Sequence, residues 1–242
     1  VNQTVSVRNT NLKPQYADNL DVSAEYYFEP AGLLSAGVYR KNLTNFIFTD
    51  NSRIVAAGPN NGFEGEYEGY RLSTQANGGS ARIEGIEFNY QQQLKLNRLP
   101  KWAQGFGVYG NYTYMRTEGD YGNTASATFA SKELAGFLPR TANLGVSYIG
   151  HPWDIRLQWV FRGHRLTTNS TNAAALRYDS NRLTHNVKIR YLFSEKYILF
   201  IDVENITAVP YVKTVYRTLN SNLPSDTGTV SPRWVGGLQG RF

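Results

Sequence analysis

The chain has no cysteine and a single methionine among its 242 residues. Without cysteine there is neither a disulfide framework nor a thiolate metal site, and the redox compartment cannot be read. Long apolar runs are also lacking. None approaches the ~18 continuous apolar residues that a membrane-spanning helix needs. Runs of like charge are missing too. The net charge is +6 and the pI about 9.4, yet the basic residues are spread along the chain and no nucleic-acid motif accompanies them, so no nucleic-acid partner is expected. An acidic glycolipid surface or an anionic solute is a milder account of the excess. The opening Val1-Asn2-Gln3-Thr4 has no basic segment followed by an apolar one, so the expectation is a mature chain or a piece of a longer one.

Aromatic residues are abundant at 14%, led by 17 tyrosines. The mean hydropathy of −0.44 suits a water-soluble protein. It suits equally a membrane wall made of strands, in which only every second residue meets lipid. Period-two alternation is therefore the pattern to seek.

Nine segments carry it. Leu20, Val22, Ala24, Tyr26 and Phe28 share one face, with Asp21, Ser23 and Glu25 on the other. The second segment, with Leu34, Ala36 and Val38, is the least regular. Ile86, Phe88 and Tyr90 mark the third, Phe106, Val108, Tyr112 and Tyr114 the fourth, and Ala142, Leu144, Val146 and Tyr148 the fifth. The later segments are stronger: Trp153, Ile155, Leu157, Trp159 and Phe161; Val187, Ile189, Tyr191 and Phe193; Tyr197, Leu199, Ile201 and Val203; and finally Trp234, Leu238 and Phe242. Helices are excluded, because the intervening charges would fall all around a helical circumference.

The connections alternate in length. Short links fall near Glu29–Gly32, Gly150–His151 and Ser194–Lys196, with a somewhat longer one at Leu94–Ala103. Long links run from about Thr49 to Gly78, Thr117 to Leu138, Gly163 to Asn181 and Ile206 to Ser231, so all emerge on one side. Outer-membrane barrels have this asymmetry, whereas a sandwich has no reason for it. Aromatics on the apolar face also cluster at segment ends, as the two girdles of a membrane barrel require. The expected fold is all-β, an antiparallel transmembrane β-barrel. Single-chain bacterial barrels close with an even strand number, so nine strands predict that further strands lie in sequence outside this chain.

The residues resemble the C-terminal part of a TonB-dependent outer-membrane receptor. Asn11-Leu12-Lys13-Pro14 is similar to the family's opening before a downward strand, with Gln15 where Glu is usual. Ala81-Arg82-Ile83-Glu84-Gly85-Ile86-Glu87 resembles its "A-x-x-x-G-V-E", and Leu138-Pro139-Arg140 its usual lead into the next downward strand. Val203-Glu204-Asn205-Ile206-Thr207 looks like "V-x-N-L-x", while Pro232-Arg233 and Phe242 look like its final strand. Gly240 departs from the bulkier apolar residue more common there. The order and spacing of these motifs carry the resemblance.

That resemblance implies that residues 1–242 form the last nine or so strands of a plugged barrel of roughly 22 strands. The implied function is TonB-dependent active uptake of a scarce nutrient of the siderophore-iron, cobalamin or carbohydrate class, in the bacterial outer membrane. Implied partners are outer-membrane lipid and lipopolysaccharide, a small-molecule nutrient, the barrel assembly machinery, and the TonB complex through an N-terminal region outside this chain. Trp234, Leu238 and Phe242 would carry the assembly signal.

The long loops supply the candidate ligand contacts: Tyr67, Tyr70, Arg71, Tyr121, Phe129, Arg177, Tyr178, Tyr211 and Tyr216. Aromatic faces and guanidinium groups suit stacking and charge pairing with such ligands, and suit loop self-packing or glycolipid contact equally. On the polar face Arg156, Lys188 and Arg190 adjoin Asp202 and Glu204, a pattern of cross-strand pairs. The dispersed His151, His164 and His185 give no metal-ligand spacing, and no cofactor is expected. A passive porin is the main alternative. An adhesin is a further one, and an enzyme is not expected, for want of a Ser-His pair or acidic cluster at one rim.

Overall fold

The computed structural model describes residues 3–94, 100–121, 129–218 and 221–240. Its strands are β1 (Thr4–Val7), β2 (Tyr16–Phe28), β3 (Gly32–Thr44), β4 (Ile47–Ile54), β5 (Arg71–Asn77), β6 (Ser80–Gln93), β7 (Phe106–Asp120) and β8 (Arg140–Gly150). They continue with β9 (Trp153–Arg162), β10 (Arg165–Thr168), β11 (Arg177–Asp179), β12 (Arg182–Ser194), β13 (Tyr197–Glu204), β14 (Tyr211–Thr218), β15 (Ser221–Gly228) and β16 (Arg233–Gly240).

One antiparallel sheet of nine strands forms the frame, in the order β16-β13-β12-β9-β8-β7-β6-β3-β2. Each strand pairs with its neighbour in the chain, apart from the loop strands that intervene. These nine are the segments expected from alternation, and the long and short connections lie where the sequence places them. The strands run further than the apolar pattern suggests. β6 and β7 have 14 and 15 residues, beyond the ~9–11 of a membrane crossing. In the surplus the apolar positions turn charged: Arg40 registers with Glu84 and Glu84 with Arg116, one step past Val38, Ile86 and Tyr114. Backbone pairing persists where the lipid-facing pattern has stopped, and for that reason alternation alone ends the strands too early.

The apolar face of this sheet is uncovered. Leu20, Val22, Tyr26, Leu34, Val38, Phe88, Leu144, Leu157, Leu199, Trp234 and Leu238 are all exposed. So large a contiguous apolar surface marks an interface with something other than water. Towards the short turns its rings form contacts at 5.9 Å (Tyr26–Phe28), 6.2 Å (Phe28–Tyr90), 5.0 Å (Phe106–Tyr148), 4.6 Å (Trp153–Tyr191) and 5.7 Å (Phe193–Tyr197), a row of aromatic groups along that edge of the sheet.

The opposite face is polar and internally paired. Lys188 registers with Asp202 and bonds it at 3.4 Å, and Arg156 bonds Asp154 at 3.3 Å. Two glycines on this face seat tyrosine rings from the next strand. Gly85 lies opposite Tyr39 and Gly145 opposite Tyr109, and a Cβ at either glycine would run into the ring.

The long connections contain strands of their own, which the sequence reading treated as loops. β4 and β5 form a hairpin that β1 joins in parallel, and β10, β11, β14 and β15 form a second small sheet. Segments of three or four residues such as Arg177–Asp179 are too short and too polar for a periodic signal.

Candidate functional site: the loop layer and its cavity

The buried hydrophobic residues sit in the long connections and the strand ends beneath them. Phe46, Ala81, Ile83, Tyr121 and Leu134 form one cluster, flanked by Tyr39, Leu43, Phe48, Met115 and Phe129. Leu166, Leu176 and Tyr178 form another. In the first, Ala81 and Ile83 are polar-face positions of β6, apolar only at this end, and Phe46 and Phe48 follow the break at Asn45, whose φ of 54° interrupts the β3 alternation.

Contacts between connections join them in series. Phe48 meets Tyr121 edge-on at 5.0 Å and Tyr121 meets Phe129 at 4.8 Å, linking the first connection to the second. The second is tied to the third by Ala130 N donating to the Ser170 carbonyl and Gly136 N to that of Leu166, both at 2.8 Å. Asn169 Nδ2 adds a bond to the Ser131 carbonyl at 2.7 Å. The third and fourth share a sheet, since β11 pairs with β14. Across it the buried Asp179 accepts from Arg165 Nε at 2.6 Å and from the Tyr211 hydroxyl at 2.7 Å. Burial, then the hydrogen bond to Asp179 and its negative charge, raise the Tyr211 phenol above its ordinary value. The Tyr121 phenol is raised as well, chiefly by burial.

Two family-like motifs act as clasps at the base of this layer. Asn77 accepts from Lys13 N at 2.8 Å and donates to the carbonyls of Lys13 and Asn45, so it holds the Leu12-Lys13-Pro14 segment against the first connection. Asn205, 7% exposed and at a positive φ of 54°, donates to the carbonyls of Val209 and Val230 and accepts from Val209 N. It thereby closes the last connection at both ends.

Several clefts open around the layer, among them a charged one of about 710 Å³ that has Arg116, Glu118, Lys132, Glu133 and Arg140 in its wall and shares Leu134 and Phe137 with the first of the two described next. The first, of about 720 Å³, lies where the polar-face residues Leu43 and Ile83 meet the loops. Phe46, Phe48, Tyr121, Phe129 and Phe137 supply its rings, and Gln15, Asn51, Gln75, Asn169, Thr49, Thr167 and Thr168 its polar groups. Among the described residues, none that lines it is Asp, Glu, Lys, Arg or His. The second cleft, of about 430 Å³, has Arg162, Arg182 and Arg233 in its wall, with Glu204, Asn186 and Ser231. Arg182 stands directly opposite Arg162, donates from Nη2 to the Val209 carbonyl at 3.3 Å, and Arg233 pairs with Glu204 at 3.7 Å.

The candidate ligand residues are dispersed through the layer. Tyr67 and Tyr70 make an exposed aromatic tip with Phe63, with ring contacts of 5.4 and 5.6 Å. Arg71 opens β5 with an exposed side chain, its backbone N donating to the Gln3 carbonyl. Tyr121 and Phe129 line the neutral cleft, while Tyr121 itself is only 6% exposed. Tyr178 is buried and stacked on His164 at 4.3 Å; Arg177, its neighbour on β11, is exposed. Tyr211 is held by Asp179, and Tyr216 falls on β14. Trp234 and Leu238 stand on the exposed face of β16 opposite Val203 and Leu199, whereas Phe242 lies outside the described residues. Of the histidines, His185 Nδ1 is 2.9 Å from the Thr207 hydroxyl, and no metal-ligand group occurs among the described residues. Sequence reasoning missed Phe46, Phe48, Asp179 and Asn169, because their roles depend on which loops meet.

A meander with one uncovered apolar face, a paired polar face and every long connection on one edge is the wall of an outer-membrane-type β-barrel. A family model described as TonB dependent receptor-like, beta-barrel matches residues 1–206, and the chain belongs to that family. No curated protein matches the sequence. Among solved structures it is similar to the ferric enterobactin receptor PfeA of Pseudomonas aeruginosa (TM-score 0.62, 16% identity, 96% of this chain and 32% of that one). It is similar also to the ferric-catecholate import receptor Fiu of E. coli (0.61, 16%, 96% and 28%) and the copper transporter OprC (0.63, 15%, 96% and 32%). The chain thus spans about a third of the length of these proteins.

Proposed function

We propose that residues 1–242 are the C-terminal portion of a receptor barrel in the bacterial outer membrane, and that the whole protein takes up a scarce nutrient by TonB-dependent active transport. The observation that carries this reading is the knitting of four long connections into one layer over an inward-facing cavity. A passive pore needs no such assembly, whereas a receptor that captures ligand before transport does. The neighbours named for ferric siderophores and copper favour active uptake without fixing the nutrient, which stays within the siderophore-iron, cobalamin or carbohydrate classes.

The layer would meet the ligand at the exposed Tyr67–Tyr70 tip and at the neutral cleft. Energy coupling would enter through a plug and TonB-contacting segment outside this chain. Trp234 and Leu238, with Phe242, would be read by the assembly machinery as the last strand inserts. The charged positions Arg40, Glu84 and Arg116 just past the apolar rungs would contact lipopolysaccharide headgroups. Deleting the gene, and separately the energy-coupling gene, tests uptake: both deletions should abolish high-affinity growth on the same nutrient. A large ligand-independent conductance of the purified protein in a planar bilayer would point to a porin instead.

A further inference from the structure

The wall is notched at its long-loop rim. β7 runs on to Asp120, whereas β8 begins only at Arg140, in register with Tyr114. The second connection fills part of the gap. Gly119 N donates to the Lys132 carbonyl at 2.7 Å, and Leu134 N donates to the Thr117 hydroxyl at 3.0 Å. What is left open is the charged cleft of about 710 Å³. We propose that this cleft binds a phosphate of the outer leaflet's glycolipid, lipopolysaccharide, and that the bound lipid fastens the second connection to the wall. This rests on the outer-membrane placement above and not on the transport reading. It goes beyond headgroup contact along the charged rungs, because it assigns a site and a consequence for the loops.

Position comes first. Tyr114, Arg116 and Glu118 continue the outward parity of β7, and Arg140 and Phe161 stand outward on β8 and β9, in register with Tyr114 and Ala142. The cleft is thus reached from the lipid side. It sits just past the outward rings of Tyr114 and Phe161, where hydrocarbon gives way to headgroups.

Charge comes second. Arg116, Lys132 and Arg140 are all exposed and come from three separate segments, two of the wall and one of the second connection. Among the described residues none of the three is in an ion pair, and Arg140 lies over the Tyr114 ring, 5.7 Å from its centroid. Glu118 and Glu133 line the cleft as well, and Glu118 has Arg82 directly across from it on β6. A phosphate accepts from several cationic donors at once. One shared by Lys132 and the two wall arginines would tie loop to strand.

Continuity comes third. A groove of about 460 Å³ shares Tyr114 and Arg116 with the cleft and is lined by Leu20, Val22, Val38 and Ile86 on the uncovered apolar face. A headgroup held at Arg116 therefore has an apolar track for an acyl chain, which free phosphate could not use. Ser131, His164 and Asn181 in the cleft offer hydrogen bonds to the hydroxyls of a phosphorylated sugar.

The test uses the full-length receptor in phosphatidylethanolamine vesicles that contain diphosphoryl lipid A, fully dephosphorylated lipid A, or phosphatidylglycerol at matched charge. A fourth arm has inorganic phosphate alone. Hydrogen exchange at the Gly119 and Leu134 amides, which join connection to wall, is the readout. Diphosphoryl lipid A should slow both about tenfold, and the other three arms should leave them unchanged. The Arg116→Gln/Lys132→Gln/Arg140→Gln variant should lose the slowing while exchanging like the parent receptor in the dephosphorylated arm, which shows that its loops stay folded. Arg162→Gln, on the polar face of β9, should keep it. Equal slowing by phosphatidylglycerol or by inorganic phosphate would overturn the assignment, as would slowing that survives the triple variant or no slowing in an inserted receptor. A receptor that fails to insert into any of the vesicles would overturn the membrane placement itself.

Discussion

The nine-stranded wall and the loop layer above it use the same apolar side chains in opposite ways. Leu157, Leu199 and Trp234 stand exposed on the wall, while Leu166, Leu176 and Tyr178 a short distance along the chain are buried. The wall places its apolar residues towards hydrocarbon and pairs its polar ones among themselves, as Lys188 does with Asp202. The layer lives in water and buries its rings in the ordinary way, over Phe46 and Tyr121. One chain therefore obeys two solvents, and the border between them falls where outward Val38 gives way to outward Arg40.

The sharpest way to break that comparison is a paired substitution on adjacent positions of β9. Leu157→Arg puts a charge on the lipid-facing side and should cost about 2–4 kcal/mol of barrel stability, since the penalty is largest near the bilayer midplane. Gln158→Arg, one residue on and facing the polar side, should be nearly silent. Urea unfolding of the full-length receptor in vesicles reads both. Equal effects would mean the two faces have been assigned wrongly.

Next in size is Gly145→Val, which forces a side chain into the Tyr109 ring. Overpacking of this kind costs about 1–3 kcal/mol. The same assay should register it, and the double variant with Tyr109→Ala should recover most of the loss.

The layer should yield separately from the wall. Asn205→Ala removes the groups that close the last connection, and each buried partner left unsatisfied costs about 1–3 kcal/mol locally. Protease cleavage between Ile206 and Ser231 should accelerate while the unfolding midpoint of the barrel barely moves.

The smallest effect concerns pH. The raised phenol of Tyr211 means that the folded layer holds this proton more tightly than the unfolded one. Its contribution is complete below the ordinary value of 10.0 and is lost as pH rises from there through the raised value. Alkaline titration should thus loosen the β11–β14 junction before the wall responds, and Tyr211→Phe should flatten that early phase in hydrogen exchange.

The wall was legible in the sequence because its pattern is local. Alternation within β9 or β12 needs no knowledge of any other strand, and the positions of the connections follow once the strands are placed. The ring-on-glycine pairs Tyr39 with Gly85 and Tyr109 with Gly145 were not legible, since each depends on register between strands. The layer was harder still. Tyr121 and Tyr178 could be singled out as aromatic loop residues, but whether they face a ligand or the protein depends on Phe48, far from Tyr121 in sequence, and on how the third connection folds His164 back onto Tyr178. The V-x-N-L-x resemblance located Asn205, and its role as a clasp became readable only when Val209 and Val230 came within reach of its amide.

The pairing of β11 with β14 also determines how the outside world meets this protein. Antibodies or bacteriophage binding there would contact a surface assembled from the third and fourth connections at once, with the second stitched alongside. A synthetic peptide copying any single connection would lack its partner strand and would be a poor mimic for immunisation or for blocking phage adsorption.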